Sequence, residues 1–417
     1  MSKLVIEGLR PLCGEINVQG AKNSALPILA ASVAVRGESV IHNCPRLSDI
    51  DVTIKILRYL GCKVKREGNT VTVDSTDIIR DDIPLELMRE MRSSIIFLGA
   101  LISAAGHARV SFPGGCDLGP RPIDIHLKAL RKMGITVNEH RGFIDCTISK
   151  NIKGCKLALE FPSVGATENI ILTAVKAQGR TIITNAAAEP EIIDLCDFLN
   201  SCGAKITTGD SGTVIIDGVS TLNGCSHCII PDRIAAATYM CAGAVCGGDI
   251  ALNGVIPSHL SAVIPVFEEC GCIIMQEQSK LRVIAPDRLK APKFIRTMPY
   301  PGFPTDAQPP VMALATQCDG TTVFVENIFE SRYNHISELI RLGAKIKLEG
   351  KVAVVEGNTS LYGTNIHAFD LRGAAALVTA ALCAEGKTVI YDTDYLDRGY
   401  EDFDVVLNSL GASVKKI

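Results

Sequence analysis

The chain has no tryptophan, and aromatic residues make up only 5% of its 417 positions. So few rings exclude a broad stacking platform for bases. An excess of charge is also missing. Forty-two Lys and Arg against 45 Asp and Glu leave a net −3, which gives no global field for gripping nucleic acid or an anionic membrane. The longest uncharged stretch, 250–267, is interrupted by Asn253, Pro257, Ser258, His259 and Pro265, so no membrane span is expected. The first twenty residues lack the basic start and apolar run of a secretory signal. The 16 cysteines therefore read as reduced thiols of a cytoplasmic protein rather than a disulfide framework. Neither a glycine-rich dinucleotide fingerprint nor a P-loop is found, and Cys225-Ser226-His227-Cys228 is a lone pair with no partner at zinc spacing, so neither a metal site nor a nucleotide cofactor of those two types is expected.

What the chain does have is apolar residues, 47% of the total, enough for sizeable cores. At about 150 residues per domain, the length alone suggests about three domains. Internal repetition overrides that estimate. A tag of a large or thiol residue, Gly, a small residue and then a β-branched one recurs around Gly61, Gly134, Gly203, Gly271, Gly343 and Gly411, 68 to 73 residues apart. Six units of about 70 residues fill the chain.

Each unit follows one grammar. An apolar helix comes first, over Ser24–Val35, Ser94–Ala105, Thr167–Ala177, Ala235–Val245, Ala307–Thr316 and Gly373–Ala384. It ends near Gly37, Gly106, Gly179, Gly248, Gly320 or Gly386, as suits a helix C-terminus. A β-branched strand, a polar loop, a second helix stopped by the tag glycine, and a hairpin follow. The first helices carry almost no charge, so both faces must be buried. This predicts units packed with helices inward and sheets outward, in two groups of three. The sixth unit stops after one hairpin strand, while Lys3–Glu7 is an orphan strand. Residues 1–21 are therefore expected to close the sixth unit, giving domains of 22–229 and of 1–21 plus 230–417, with a cleft between the halves as the default ligand site.

Aligned on the tag, polar residues gather at two equivalent places: the start of the buried helix (Lys22-Asn23, Arg92, Ser163-Val164-Gly165, Asp232-Arg233, Asp306, Asp370 with Arg372) and the loop before the second helix (Arg46, Cys116 to Arg121, Glu189, Arg332, Arg398). A helix start carries free N–H groups and partial positive charge. Cations placed there oppose the dipole and point to an anionic ligand. The competing reading pairs Arg233 with Asp232 and Arg372 with Asp370. The loop 112–121, with three glycines and two prolines around Cys116, reads as a mobile lid carrying a reactive thiol.

Several stretches together resemble one family across the full length: GAKNSALPILAAS at 20–32, MRSSI at 91–95, PGGCDLGPRPIDIH at 113–126, PSVGATEN at 162–169, AEPEIIDL at 188–195, FPTDAQ at 303–308, FESRYNHISEL at 329–339, DLRGAAALV at 370–378 and DRGYE at 397–401. The chain resembles the UDP-N-acetylglucosamine 1-carboxyvinyltransferases, the enolpyruvyl transferases that open peptidoglycan synthesis. The resemblance implies an α/β fold, a two-domain inside-out α/β barrel built from six repeats, three per domain. It implies transfer of the enolpyruvyl group of phosphoenolpyruvate to the 3′-hydroxyl of UDP-N-acetylglucosamine, with release of phosphate and without a cofactor. Shikimate-type transfer, or a silent paralogue that only binds the sugar nucleotide, are the alternatives.

By the same resemblance Lys22, Asn23, Arg121 and Arg398 would bind phosphoenolpyruvate. Asn23, Arg92, Arg121, Pro122, Ile123, Asp124, Ile125, Ser163, Val164, Gly165, Asp306 and Ile328 would hold UDP-N-acetylglucosamine. Asp370, Arg372 and Arg332 would serve domain closure. Where some members carry Lys shortly before the Ser-Val-Gly turn, this chain has Phe161-Pro162, which leaves more of the diphosphate charge to Arg121. The addition requires a base for the sugar hydroxyl and an acid for the methylene carbon, each contributing about 10²–10⁴-fold. Asp306 is the expected base and Cys116 the acid, with Lys22 and Arg398 completing the catalytic set. Cys116 is also expected to form a pyruvyl adduct and to react with fosfomycin-like epoxides. Nearby cations favour its thiolate, and a bound phosphate is expected to restore the thiol. Neither nucleic acid nor a membrane is expected as a partner, and the sequence sets no oligomeric state.

Overall fold

The computed structural model describes residues 2–112, 123–209 and 212–417. They divide into two compact units, one of residues 2–19 with 231–417 and one of 20–112 with 123–230. Each contains three four-stranded sheets and three buried helices, so the architecture is α/β throughout. In the second unit helix Phe97–Ala105 packs against Lys22–Ala31 and Val164–Ala174. In the first, Arg233–Val245, Gln308–Ala315 and Leu371–Cys383 pack against one another. The apolar helices thus lie innermost. Each wholly buried Leu or Ile there contributes roughly 1.5–3 kcal/mol. Among the described residues no helix is long and apolar enough to cross a membrane.

The sheets share one order. A short strand runs parallel to the strand that follows the buried helix, and the tag's hairpin extends the sheet antiparallel. The third repeat shows this directly: Lys156–Ala158 pairs in parallel with Arg180–Thr184, and Lys205–Gly209 and Thr213–Asp217 complete the sheet. The tag glycine has positive φ all six times, from +88° to +112°, a conformation that costs an L-residue about 1–2 kcal/mol. That demand keeps the tag legible. After the fourth buried helix the positive-φ residue is Gly247, not Gly248.

The closing strands correct one expectation. Lys3–Glu7 enters the sixth sheet between Lys387–Tyr391 and Ser413–Lys416, where it replaces the missing hairpin strand. Residues 13–17 do not join it. Cys13–Asn17 pairs in parallel with Asp249–Asn253 in the fourth sheet, supplying the strand that elsewhere precedes the buried helix. Ser226–Cys228 does the same for the first sheet beside Glu38–His42. In each compact unit, then, chain from outside a repeat completes that repeat's sheet.

Candidate functional site

The first compact unit holds a buried polar network around Asp306, which precedes helix Gln308–Ala315. One Asp306 oxygen accepts from Arg332 Nη2 at 2.5 Å; the other accepts from Arg372 Nε and Nη2 at 3.1 and 3.0 Å. The two guanidinium groups are buried, 1% and 3% exposed, whereas Asp306 keeps 27%. A reactant can therefore reach the carboxylate, while the cations that hold it cannot be hydrated. Arg332 also grips the Thr305 carbonyl through Nε and Nη2. Burial works against the charge on Arg372, but Tyr400 and Asp306 outweigh it and hold its guanidinium above the ordinary value.

Asp370 and Arg372 do not pair side chain to side chain in the way their spacing suggested. Asp370 Oδ1 caps helix Leu371–Cys383, accepting the backbone N–H groups of Arg372 at 3.0 Å and Gly373 at 2.9 Å, and this frees the Arg372 guanidinium to reach Asp306. Residues at i and i+2 face different sides of a helix, which is why the cap prevails over the pair. Asp232 likewise caps Arg233–Val245 through the N–H groups of Ile234 and Ala235, while Arg233 lies over the Tyr300 ring. Next to the network His335 is fully buried. Burial, with Arg332 nearby, pushes its imidazole down to about 4 against the opposing effect of Asp370. Ile328 presents its backbone in a turn whose N–H is held by Glu326. Arg398 is half-buried at the end of the short helix Thr393–Arg398.

The second compact unit holds the remaining described residues. Lys22 is the first residue of the buried helix Lys22–Ala31, and its ammonium lies 2.5 Å from Asp49 in the first turn of Ser48–Leu60. Sequence reasoning missed Asp49, because an acidic residue in a first turn reads simply as dipole-matching. Asn23 follows, half-buried. Ile123, Asp124 and Ile125 open helix Asp124–Lys132, and Ser163 caps helix Val164–Ala174 by accepting the Ala166 N–H at 3.4 Å.

The structure brings these two helix starts together through residues not singled out from sequence. His126 Nδ1 meets Asn169 Nδ2 at 2.9 Å, and a Cβ added at Gly165 would lie 3.3 Å from the His126 ring. Gly165 therefore permits the close approach. Asp124 is exposed and 3.3 Å from Lys128. Glu168 is buried, and burial with Glu189 and Glu191 nearby holds its carboxyl well above the usual carboxylate range. Cys116, Arg121, Pro122 and the side chain of Arg92 lie outside the described residues.

The six helix-and-sheet repeats have counterparts among solved structures. An enolpyruvyl transferase from Streptomyces tendae, NikO, superposes with a TM-score of 0.91 at 26% identity, over 100% of this chain and 98% of that one. An EPSP synthase from Acinetobacter baumannii shares the fold at TM-score 0.81, with 19% identity and both chains fully covered. The sequence pattern of EPSP synthase (3-phosphoshikimate 1-carboxyvinyltransferase) matches residues 6–407.

Two curated relatives are more similar in sequence. UDP-N-acetylglucosamine 1-carboxyvinyltransferase 2 of Caldanaerobacter subterraneus subsp. tengcongensis is 47% identical over 417 residues, with both chains covered in full. UDP-N-acetylglucosamine 1-carboxyvinyltransferase 1 of Symbiobacterium thermophilum is 45% identical over 420 residues, covering 100% of this chain and 95% of its own. The chain belongs to the EPSP synthase family of enolpyruvyl transferases and, within it, to the UDP-N-acetylglucosamine 1-carboxyvinyltransferases.

Proposed function

We propose that the protein transfers the enolpyruvyl group of phosphoenolpyruvate to the 3′-hydroxyl of UDP-N-acetylglucosamine, the first committed step of peptidoglycan synthesis, in the cytoplasm. The observation that carries this reading is Asp306, a reachable carboxylate fixed by two buried guanidinium groups, in a chain 43–47% identical over its whole length to carboxyvinyltransferases named for that acceptor. The sugar oxygen bonds to C-2 of phosphoenolpyruvate as Asp306 takes the hydroxyl proton and the Cys116 thiol protonates C-3. Loss of a C-3 proton then restores the double bond and expels phosphate. Both Asp306 oxygens already accept from guanidinium groups, so the base acts through its remaining lone pairs.

Lys22, Arg121 and Arg398 bind the phosphate and carboxylate of phosphoenolpyruvate, whose charge requires several cations to offset desolvation, and Asn23 stands beside them. For Lys22 this means exchanging part of its contact with Asp49 for the ligand. Asn23, Arg92, Asp306 and the backbone at Ile328 hold the sugar nucleotide. The segment 121–125 with Ser163, Val164 and Gly165 takes its uridine and diphosphate, and the close packing of these two helix starts through His126 and Asn169 supports that grouping. Asp370, Arg372 and Arg332 hold the closed state. Cys116 forms the pyruvyl adduct and is the point of attack for epoxides of the fosfomycin type.

Phosphate release assayed with phosphoenolpyruvate and either UDP-N-acetylglucosamine or shikimate 3-phosphate tests the reading. Turnover with the first acceptor alone is expected. Turnover only with the second, or with neither, overturns it. A Cys116→Ala chain that an epoxide still alkylates at the site as fast as the parent would remove Cys116 from its role.

A further inference from the structure

Glu326 follows directly on the strand Thr321–Val325 and is 1% exposed. A carboxylate that deep in the protein must have its lone pairs satisfied, and here three donors from two different segments do so. Oε1 accepts the backbone N–H groups of Ile328 at 2.8 Å and Phe329 at 3.1 Å, while Oε2 accepts the Thr305 hydroxyl at 3.0 Å. One segment is the turn whose backbone at Ile328 is assigned to the sugar nucleotide. The other carries Asp306 as the next residue after Thr305.

The rest of the surroundings leaves Thr305 little freedom. Its carbonyl is held by Arg332 and its hydroxyl by Glu326. The turn is fixed from its other side by Thr297, which accepts the Asn327 N–H at 2.9 Å on its hydroxyl. From this geometry we infer that Glu326 is a positioning residue for the transfer, a single carboxylate that sets the base Asp306 in register with the turn that receives the acceptor. The inference rests on the assignment of Asp306 and Ile328 under Proposed function. A group merely capping the turn would need only the two N–H contacts. The third contact, to Thr305, is what ties the turn to the base.

Three single variants and one double variant separate the roles, each measured for kcat, for KM toward UDP-N-acetylglucosamine and for melting temperature. Thr305→Val removes only the hydroxyl contact. It is expected to lower kcat about 10- to 100-fold, the penalty of a slightly misplaced catalytic group, with KM within about twofold. Glu326→Ala removes all three contacts and is expected to lower kcat and raise KM together. Adding Thr305→Val to Glu326→Ala should then cost nothing further in kcat. Glu326→Gln keeps an oxygen for the two N–H groups and offers its amide nitrogen to the Thr305 oxygen, so it should recover most of the lost kcat. Should Glu326→Ala fail to fold, Thr305→Val and Glu326→Gln still decide the matter. A Thr305→Val chain with parental kcat overturns the inference alone, while a parent chain that releases no phosphate with this acceptor overturns it together with the proposed function.

Discussion

Replacing Asp306 with Asn changes one atom and should have two measurable consequences of different origin. The first is structural. Arg332 and Arg372 are 1% and 3% exposed, and each directs a guanidinium group at one Asp306 oxygen. The amide has one acceptor and one donor end, so one guanidinium would face an N–H₂ group. Two buried cations would then lack their shared counter-charge, and breaking such a pair costs about 3–5 kcal/mol. For a unit of about 200 residues, roughly 2–4 °C per kcal/mol turns that into a melting-temperature loss of about 10 °C. The second consequence is chemical: with the proposed base for the sugar hydroxyl removed, phosphate release should fall about 10²–10⁴-fold. Scanning calorimetry and the phosphate assay on the same preparation read both. An Asp306→Asn chain that melts with the parent would refute the claim that this carboxylate neutralises two buried cations. Parental turnover would refute its role as base.

Other positions give independent checks. Gly203 has φ +102° with nothing within 4 Å of an added Cβ, whereas at Gly343, φ +112°, that Cβ would lie 2.8 Å from the Ser360 carbonyl oxygen. Gly203→Ala should therefore cost only the backbone term of about 1–2 kcal/mol and Gly343→Ala clearly more, so equal losses in urea unfolding would count against the steric reading. His335 is held down to about 4 by burial and Arg332. Between about pH 6.5 and 4 the unfolded chain therefore takes up a proton that the folded one refuses, and stability falls as pH falls, by about 2 kcal/mol at pH 5. His335→Gln should flatten that slope, and an unchanged slope contradicts the assignment. Glu168 shifts the other way. Its raised value means the folded state keeps a proton that the unfolded chain releases above about pH 4.3, so stability declines with rising pH. Glu168→Gln should then melt higher than the parent at pH 8 and gain less at pH 5; no gain at pH 8 would refute this.

The six-fold organisation was readable because its marker is a backbone requirement. A left-handed glycine after each second helix cannot drift without cost, and uncharged helices such as Phe97–Ala105 can only be interior. The pairing of Cys13–Asn17 with Asp249–Asn253 was not readable. A short parallel strand joined across more than 200 residues leaves no local pattern, and its alternation fits either sheet equally well.

The same division holds at the candidate site. Asp306, Arg332 and Arg372 stood out as charges at helix starts and preceding loops. That both arginines converge on Asp306, rather than Arg372 on Asp370, depends on the helix cap that occupies Asp370. Glu326 gave no signal. A single Glu after Thr-Thr-Val-Phe-Val looks like an ordinary strand end, and only the fold reveals that it is buried against Thr305 and Ile328.

Addition followed by elimination leaves an isotopic mark on the product when the reaction runs in deuterated water. The protein, phosphoenolpyruvate and UDP-N-acetylglucosamine are incubated in D₂O and the product is examined by proton NMR. In the proposed mechanism, protonation of C-3 by Cys116 would make a transient methyl group that has gained one solvent deuteron and then loses one hydrogen. The expected product is an enolpyruvyl ether on the 3′-oxygen with deuterium in its methylene group. No ether, or an ether whose methylene carries no deuterium, would contradict it.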